Sequence, residues 1–190
     1  MYKKFIPYCH ATSIYEVDPQ FFVKQGVKIL FIDLDNTLDS YKAMHPKSGT
    51  LDYLGKIKET GIVPVIVSNN RGKRVSSFAK DCNVDFIAAA GKPFAKKILK
   101  EMSKRHITDK DVMLVGDQMM TDVLAAHNAK IRVMLTEKIV KEEEENLASE
   151  CAKCDSEYNL AVESYRAEVG SWNQNKEAFN SLLTELLFNK

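Results

Sequence analysis

The feature that most constrains this chain is a repeated alternation. Short apolar or β-branched runs occupy residues 27–32, 62–67, 84–88, 112–115 and 131–135, each bounded by Gly, Asn or charged residues. Runs this short and this apolar read as strands buried on both faces. Between them, residues 49–60, 73–82, 93–105 and 119–127 carry apolar side chains at three- and four-residue spacing, which predicts helices. Strand following helix in this way predicts an α/β fold built on a parallel sheet covered on both faces.

Ligand sites in open α/β sheets lie beyond the carboxyl ends of the strands. Here the first run is followed by Asp33-Leu34-Asp35, the second by Ser68-Asn69-Asn70 and the fourth by Gly116-Asp117-Gln118, while Gly91-Lys92-Pro93 follows the third. Polar and charged residues therefore gather at one edge of the sheet. Side chains two apart on an extended strand point the same way, so Asp33 and Asp35 face one pocket and Leu34 turns back into the core. Two carboxylates in a partly desolvated place repel, and a divalent cation or a proton between them relieves the cost.

Those parts suit phosphoryl transfer. A carboxylate serves as covalent nucleophile, a second moves a proton, a fixed cation steadies the transferring group, and Mg²⁺ neutralises phosphate oxygens. On this reading Ser68 and the amides that follow it, or those after Asp33, hold a phosphate oxygen, and Lys92 is the fixed cation. Asp117 and Asp122 complete an oxygen shell for Mg²⁺. Asp122 has a second reading, as the partner that positions Lys92 or a loop amide. Lys92 before Pro93 also fits a helix that opens on proline in its first turn.

In order, DLDNTL, VSNN, Lys92-Pro93 and GDQMMTD resemble the four motifs of the haloacid dehalogenase superfamily over residues 27–135. The resemblance implies a Rossmann-like α/β parallel sheet flanked by helices, with a minimal cap, because only residues 40–48 separate the first motif from the next helix. It implies that Asp33 is a nucleophile that becomes an aspartyl phosphate and that Asp35 is the general acid and base. Ser68, Asn69 and Lys92 would bind phosphate, while Asp33, the Asp35 backbone carbonyl and Asp117 would hold Mg²⁺, with Asp122 in support. An aspartate at position 35 points to hydrolysis. The combination of DLDNTL, SNN and GDQxxTD looks similar to the YqeG-type branch, relatives of mitochondrial phosphatidylglycerophosphate phosphatases, and implies a phospholipid phosphate as substrate. A small-metabolite or nucleotide phosphatase, and a non-catalytic scaffold on the same fold, are the alternatives.

Composition bounds the partners. The chain has 190 residues with 27 Lys plus Arg against 26 Asp plus Glu, a net charge of +1, so nothing draws it generally to nucleic acid. No run reaches the roughly 20 apolar residues of a membrane span, and the start MYKKFIPYCH has no signal-peptide core. A cytoplasmic protein is expected, with peripheral membrane contact left open. Tyr2, Phe5, Ile6 and Tyr8 read as packing residues for a first helix. Residues 1–136 form the expected core and 137–190 a helical appendage, acidic at Glu142–Glu145, whose Phe179, Leu182, Leu183, Leu186 and Leu187 make an apolar stripe for its own domain or a second copy. Cys151 and Cys154 form a CxxC without a second pair, which reads as two thiols rather than a zinc site.

Overall fold

The computed structural model describes residues 2–139. Its strands are β1 (Cys9–Ala11), β2 (Ile29–Ile32), β3 (Val63–Val67), β4 (Asp85–Ile87), β5 (Val112–Gly116) and β6 (Arg132–Thr136). Its α-helices are α1 (Pro19–Lys24), α2 (Ser48–Glu59), α3 (Lys73–Asp81), α4 (Lys96–Lys104) and α5 (Leu124–Ala129). The strands form one six-stranded sheet in the order β1-β6-β5-β2-β3-β4, and every pairing is parallel. The expected α/β architecture is therefore present. From β2 the chain runs outward through β3 and β4, then returns as β5 on the other side of β2. The carboxyl ends of β2 and β5 thus flank the point where strand order reverses, where ligands bind in such sheets.

All four residues of β2, Ile-Leu-Phe-Ile, are buried, as a central strand covered on both faces requires. Successive side chains alternate between two cores. Leu30, Ile32 and Leu34 pack with Leu54 and Ile57 of α2 and Val75 and Phe78 of α3, whereas Ile29 and Phe31 pack with Ile98 and Met102 of α4 and the small Ala125 and Ala126 of α5. Leu34 therefore does turn back into the core, leaving Asp33 and Asp35 on the other parity.

Three local readings change. Strand β1 has no apolar run to announce it, since Cys-His-Ala forms a strand only because β6 offers an unpaired edge. The segment before it is a 3₁₀ turn, Tyr2–Phe5, not a helix, and Ile6 and Tyr8 are each 55% exposed instead of packed. The fourth helix starts at Lys96, so Pro93 is not in its first turn.

Beyond β6 the chain stays attached to the core for a few residues: the Glu137 amide donates to the Thr12 carbonyl at 3.2 Å and the Ile139 amide to the Asn36 carbonyl at 3.0 Å. The remainder of the appendage expected over 137–190, with its apolar stripe and CxxC, lies outside the described residues. Among the described residues no helix is long and apolar enough to cross a membrane.

Helix α2 begins without a capping side chain of its own. Asp39, 1% exposed, supplies one from the preceding loop. Its carboxylate accepts from the Ser40 amide at 3.0 Å, the Lys47 amide at 3.2 Å and the Thr50 hydroxyl at 3.1 Å. Removing it strands buried donors at a helix N-terminus. Asp39→Ala is expected to lower unfolding free energy by about 2–3 kcal/mol in urea titration; a change within about 0.5 kcal/mol, the range of neutral surface substitutions, would show that Asp39 does not carry this helix start.

Candidate active site

The site begins where the ladder between β2 and β5 ends. The Asp33 amide donates to the Val115 carbonyl at 2.8 Å, which holds Asp33 one step past β2 beside Gly116. After it the chain turns tightly. The Asn36 amide donates to the Asp39 carbonyl at 2.7 Å, with Asn36 at φ 65°, a left-handed conformation that asparagine tolerates.

Lys92 crosses the site from the loop after β4. Its ammonium donates to Asp33 Oδ1 at 2.5 Å and to Asp122 Oδ1 at 2.6 Å. The lysine is 6% exposed, Asp33 5% and Asp122 0%. Burial opposes the charge on Lys92, but the two carboxylates outweigh it and hold the ammonium above its ordinary range. Burial, reinforced by Asp122 and Asp117, raises Asp33 well above the usual carboxylate range despite Lys92. Asp117 is raised by the same two causes, burial and Asp122, against a hydrogen bond from Thr37.

Asp122 sits in a π-helical turn, Met119–Val123, directly after β5. Its second oxygen accepts from the Gln118 amide at 3.2 Å. Gly116 makes room for it: a Cβ at that position would lie 2.3 Å from Asp122 Cγ. Asp122 thus spends one oxygen on Lys92 and the other on its own turn, in keeping with its reading as the partner of the lysine.

Asp117 is arranged differently. Thr37 donates to its Oδ1 at 3.1 Å, while Oδ2 is buried without a hydrogen-bond partner. Carboxylate oxygens of Asp33, Asp117 and Asp122 lie within 4.8 Å of one another. Three carboxylates against one ammonium, with one buried oxygen unsatisfied, form a set of hard donors that fits a divalent cation.

Ser68 and Asn69 end β3. The Ser68 hydroxyl, fully buried, donates to Asp35 Oδ2 at 3.3 Å and accepts from the Asn70 amide at 3.1 Å. The Asn69 side chain forms a reciprocal pair with the Lys92 backbone, its amide donating to the Lys92 carbonyl at 2.9 Å and its oxygen accepting from the Lys92 amide at 2.7 Å. Asn69, expected among the phosphate-binding groups, thereby also seats the loop that carries the lysine.

Every expected residue lies at this one sheet edge. One was missed. Arg74, in the first turn of α3, donates from Nη1 to Asp35 Oδ1 at 2.5 Å. Nothing in its helical spacing marks it; the only available signal was its place a few residues past SNN.

The model of the haloacid dehalogenase-like hydrolase family matches residues 2–136. The probable phosphatase YqeG of Bacillus subtilis is 31% identical over 125 residues, 66% of this chain and 73% of that protein. Among solved structures, the 3-deoxy-D-manno-octulosonate 8-phosphate phosphatase of Moraxella catarrhalis, in complex with magnesium, phosphate and KDO, is 18% identical with TM-score 0.42, covering 52% of this chain and 62% of that one. The chain thus spans about three fifths of that enzyme. A probable yrbi family phosphatase from Pseudomonas syringae is 15% identical with TM-score 0.45, over 75% of this chain and 97% of that one. With a family match running from the first described residues to the end of β6, over a site assembled at the expected sheet edge, this chain belongs to the haloacid dehalogenase-like hydrolases.

Proposed function

We propose that this protein is a Mg²⁺-dependent phosphatase that hydrolyses a phosphate monoester through an aspartyl phosphate on Asp33. The observation that carries the reading is that Asp33, Lys92, Asp117 and Ser68 stand at four different strand ends along one edge of the sheet, with Lys92 bonded to Asp33. Family membership and the similarity to a probable phosphatase of Bacillus subtilis support it.

Asp33 attacks phosphorus through a carboxylate oxygen, and the bond from phosphorus to the leaving oxygen breaks. Asp35 gives that oxygen its proton, then takes a proton from the water that attacks the aspartyl phosphate, releasing inorganic phosphate and regenerating Asp33. Lys92 stabilises the charge on the phosphoryl oxygens, and Ser68 hydrogen-bonds to one of them. Asn69 contributes by holding the Lys92 backbone. Asp33, Asp117 and the Asp35 backbone carbonyl would hold Mg²⁺, with Asp117 Oδ2 its most exclusive donor. Bound there, the ion withdraws charge from the phosphoryl group.

For substrate we favour a phospholipid phosphate, phosphatidylglycerophosphate by resemblance to the YqeG branch. What supports it is the surface of the neighbouring loops. Tyr41 and Met44 follow β2, Phe94 follows β4 and Met120 follows β5, and all are half or more exposed, Phe94 at 75%. Exposed large apolar groups on three loops at the same sheet edge suit an apolar leaving group. Hydrolysis of water-soluble esters with none of phosphatidylglycerophosphate in micelles would favour the small-metabolite alternative.

Asp33→Asn is expected to abolish hydrolysis of p-nitrophenyl phosphate while the far-UV circular dichroism stays unchanged; equal turnover by both forms would exclude the mechanism. Chelation of Mg²⁺ should stop the reaction reversibly, and Asp117→Asn should raise the Mg²⁺ concentration for half-maximal rate by at least about tenfold, the low end for loss of even an outer partner. Gly116→Ala should displace Asp122 from Lys92 and lower kcat/KM by more than about tenfold. An unimpaired Gly116→Ala enzyme would show that the Asp122 seat does not matter.

A further inference from the structure

Arg74 stands where helix electrostatics do not want it. It occupies the first turn of α3 beside Lys73, with no acidic residue in that turn, although the positive end of a helix dipole disfavours cations. Its side chain is only 11% exposed, so the guanidinium must be repaid by partners for leaving water. It has three. Nη1 donates to Asp35 Oδ1 at 2.5 Å, Nε to the Ala43 carbonyl at 2.7 Å and Nη2 to the Ser40 carbonyl at 3.0 Å. A planar fork holds its donors at fixed, separated positions and so reaches three acceptors spread over a loop and a strand end, whereas an ammonium gathers its donors on one atom.

Resting on the phosphatase reading above, we propose that Arg74 is the positioning residue of the proton-transfer group: it pins Asp35 Oδ1 to the loop over residues 40–43 and so leaves Oδ2 as the oxygen that exchanges the proton with the leaving group. Oδ2 is the oxygen on the Ser68 side, where the serine hydroxyl reaches it at 3.3 Å. With Oδ1 held by the guanidinium, Oδ2 stays turned toward Ser68 and the strand ends, even when the serine's single O–H passes to a phosphoryl oxygen. The same guanidinium holds the loop that carries the exposed Tyr41. Leaving-group contacts on that loop and the aim of Asp35 therefore belong to one mechanical unit, fastened from α3. Nothing in the chemistry of phosphate binding requires this arginine, since Lys92 and Ser68 already face the phosphoryl group.

The distinction between positioning the acid and merely holding the fold is read from leaving-group dependence. A misaimed general acid harms substrates with poor leaving groups most, and kcat/KM reports the step in which the leaving group departs. We would measure kcat/KM for p-nitrophenyl phosphate and for 2-phenylethyl phosphate, an unactivated alkyl ester, with the wild type, Arg74→Ala, Arg74→Lys and each change in an Asp35→Asn background. Arg74→Ala is expected to lose about tenfold more on the alkyl ester than on the aryl ester, and Arg74→Lys, which keeps the charge but not the fork, should recover part of that difference. In the Asp35→Asn background the two losses should be equal, because there is no acid left to aim. Equal losses on both esters in the Asp35 enzyme, for Arg74→Lys as for Arg74→Ala, would overturn the assignment and leave the phosphatase reading intact. A wild-type enzyme that turns over neither ester, nor phosphatidylglycerophosphate in micelles, would instead overturn that reading, and this inference with it.

Discussion

The ammonium of Lys92, shared between Asp33 and Asp122, is the interaction on which the rest of the site depends. A buried charge of this kind persists only when its partners are close and fixed. Here they come from separate parts of the fold: Asp33 from the end of the central strand, Asp122 from the π-helical turn after β5, and the lysine itself from the loop beyond β4. Asn69 at the end of β3 then clamps the lysine's backbone. One contact thus joins the carboxyl ends of four neighbouring strands, and it does so at the point where strand order reverses. The parallel sheet supplies the register, and the ion pair turns that register into a site.

The site carries a charge imbalance. Asp33, Asp117 and Asp122 crowd around a single ammonium, and both Asp33 and Asp117 are pushed above the usual carboxylate range by burial and by their neighbours. Such an arrangement favours taking up positive charge, and the unpartnered Asp117 Oδ2 shows where it is wanted. Asp122 is spared that duty by its bonds to Lys92 and to Gln118. The three acids differ in which oxygens are occupied: Asp122 has both engaged, Asp33 has one on Lys92, and Asp117 leaves Oδ2 without a partner.

Much of this was legible in the residues, and the exceptions have physical reasons. Ile-Leu-Phe-Ile announces a doubly buried strand because no other use of four consecutive large apolar residues is so economical, and the carboxylates after it announce the edge that binds. The positions of Asp33, Asp35, Ser68, Lys92 and Asp117 followed from that edge rule together with the motif order. Strand β1 was not legible, because Cys9–Ala11 pairs with β6 by geometry rather than by composition. Arg74 and Asp39 were not legible for a related reason. Each looks in sequence like an ordinary polar residue near a helix start, and each acquires its role only when a loop from elsewhere brings carbonyls or amides to it. The contact of Asn69 with the Lys92 backbone was not legible either, because it depends on a loop more than twenty residues away in sequence, which local reasoning does not reach.

The most direct measurement is a crystal structure of the protein soaked with Mg²⁺ and trifluoroberyllate, a mimic of an acyl-phosphate group. The account predicts beryllium bonded to the Asp33 carboxylate, Lys92 and Ser68 on the fluorides, and Mg²⁺ against Asp117 with Asp122 still holding the lysine. Beryllium on any other side chain, or Mg²⁺ bound away from Asp117, would contradict it.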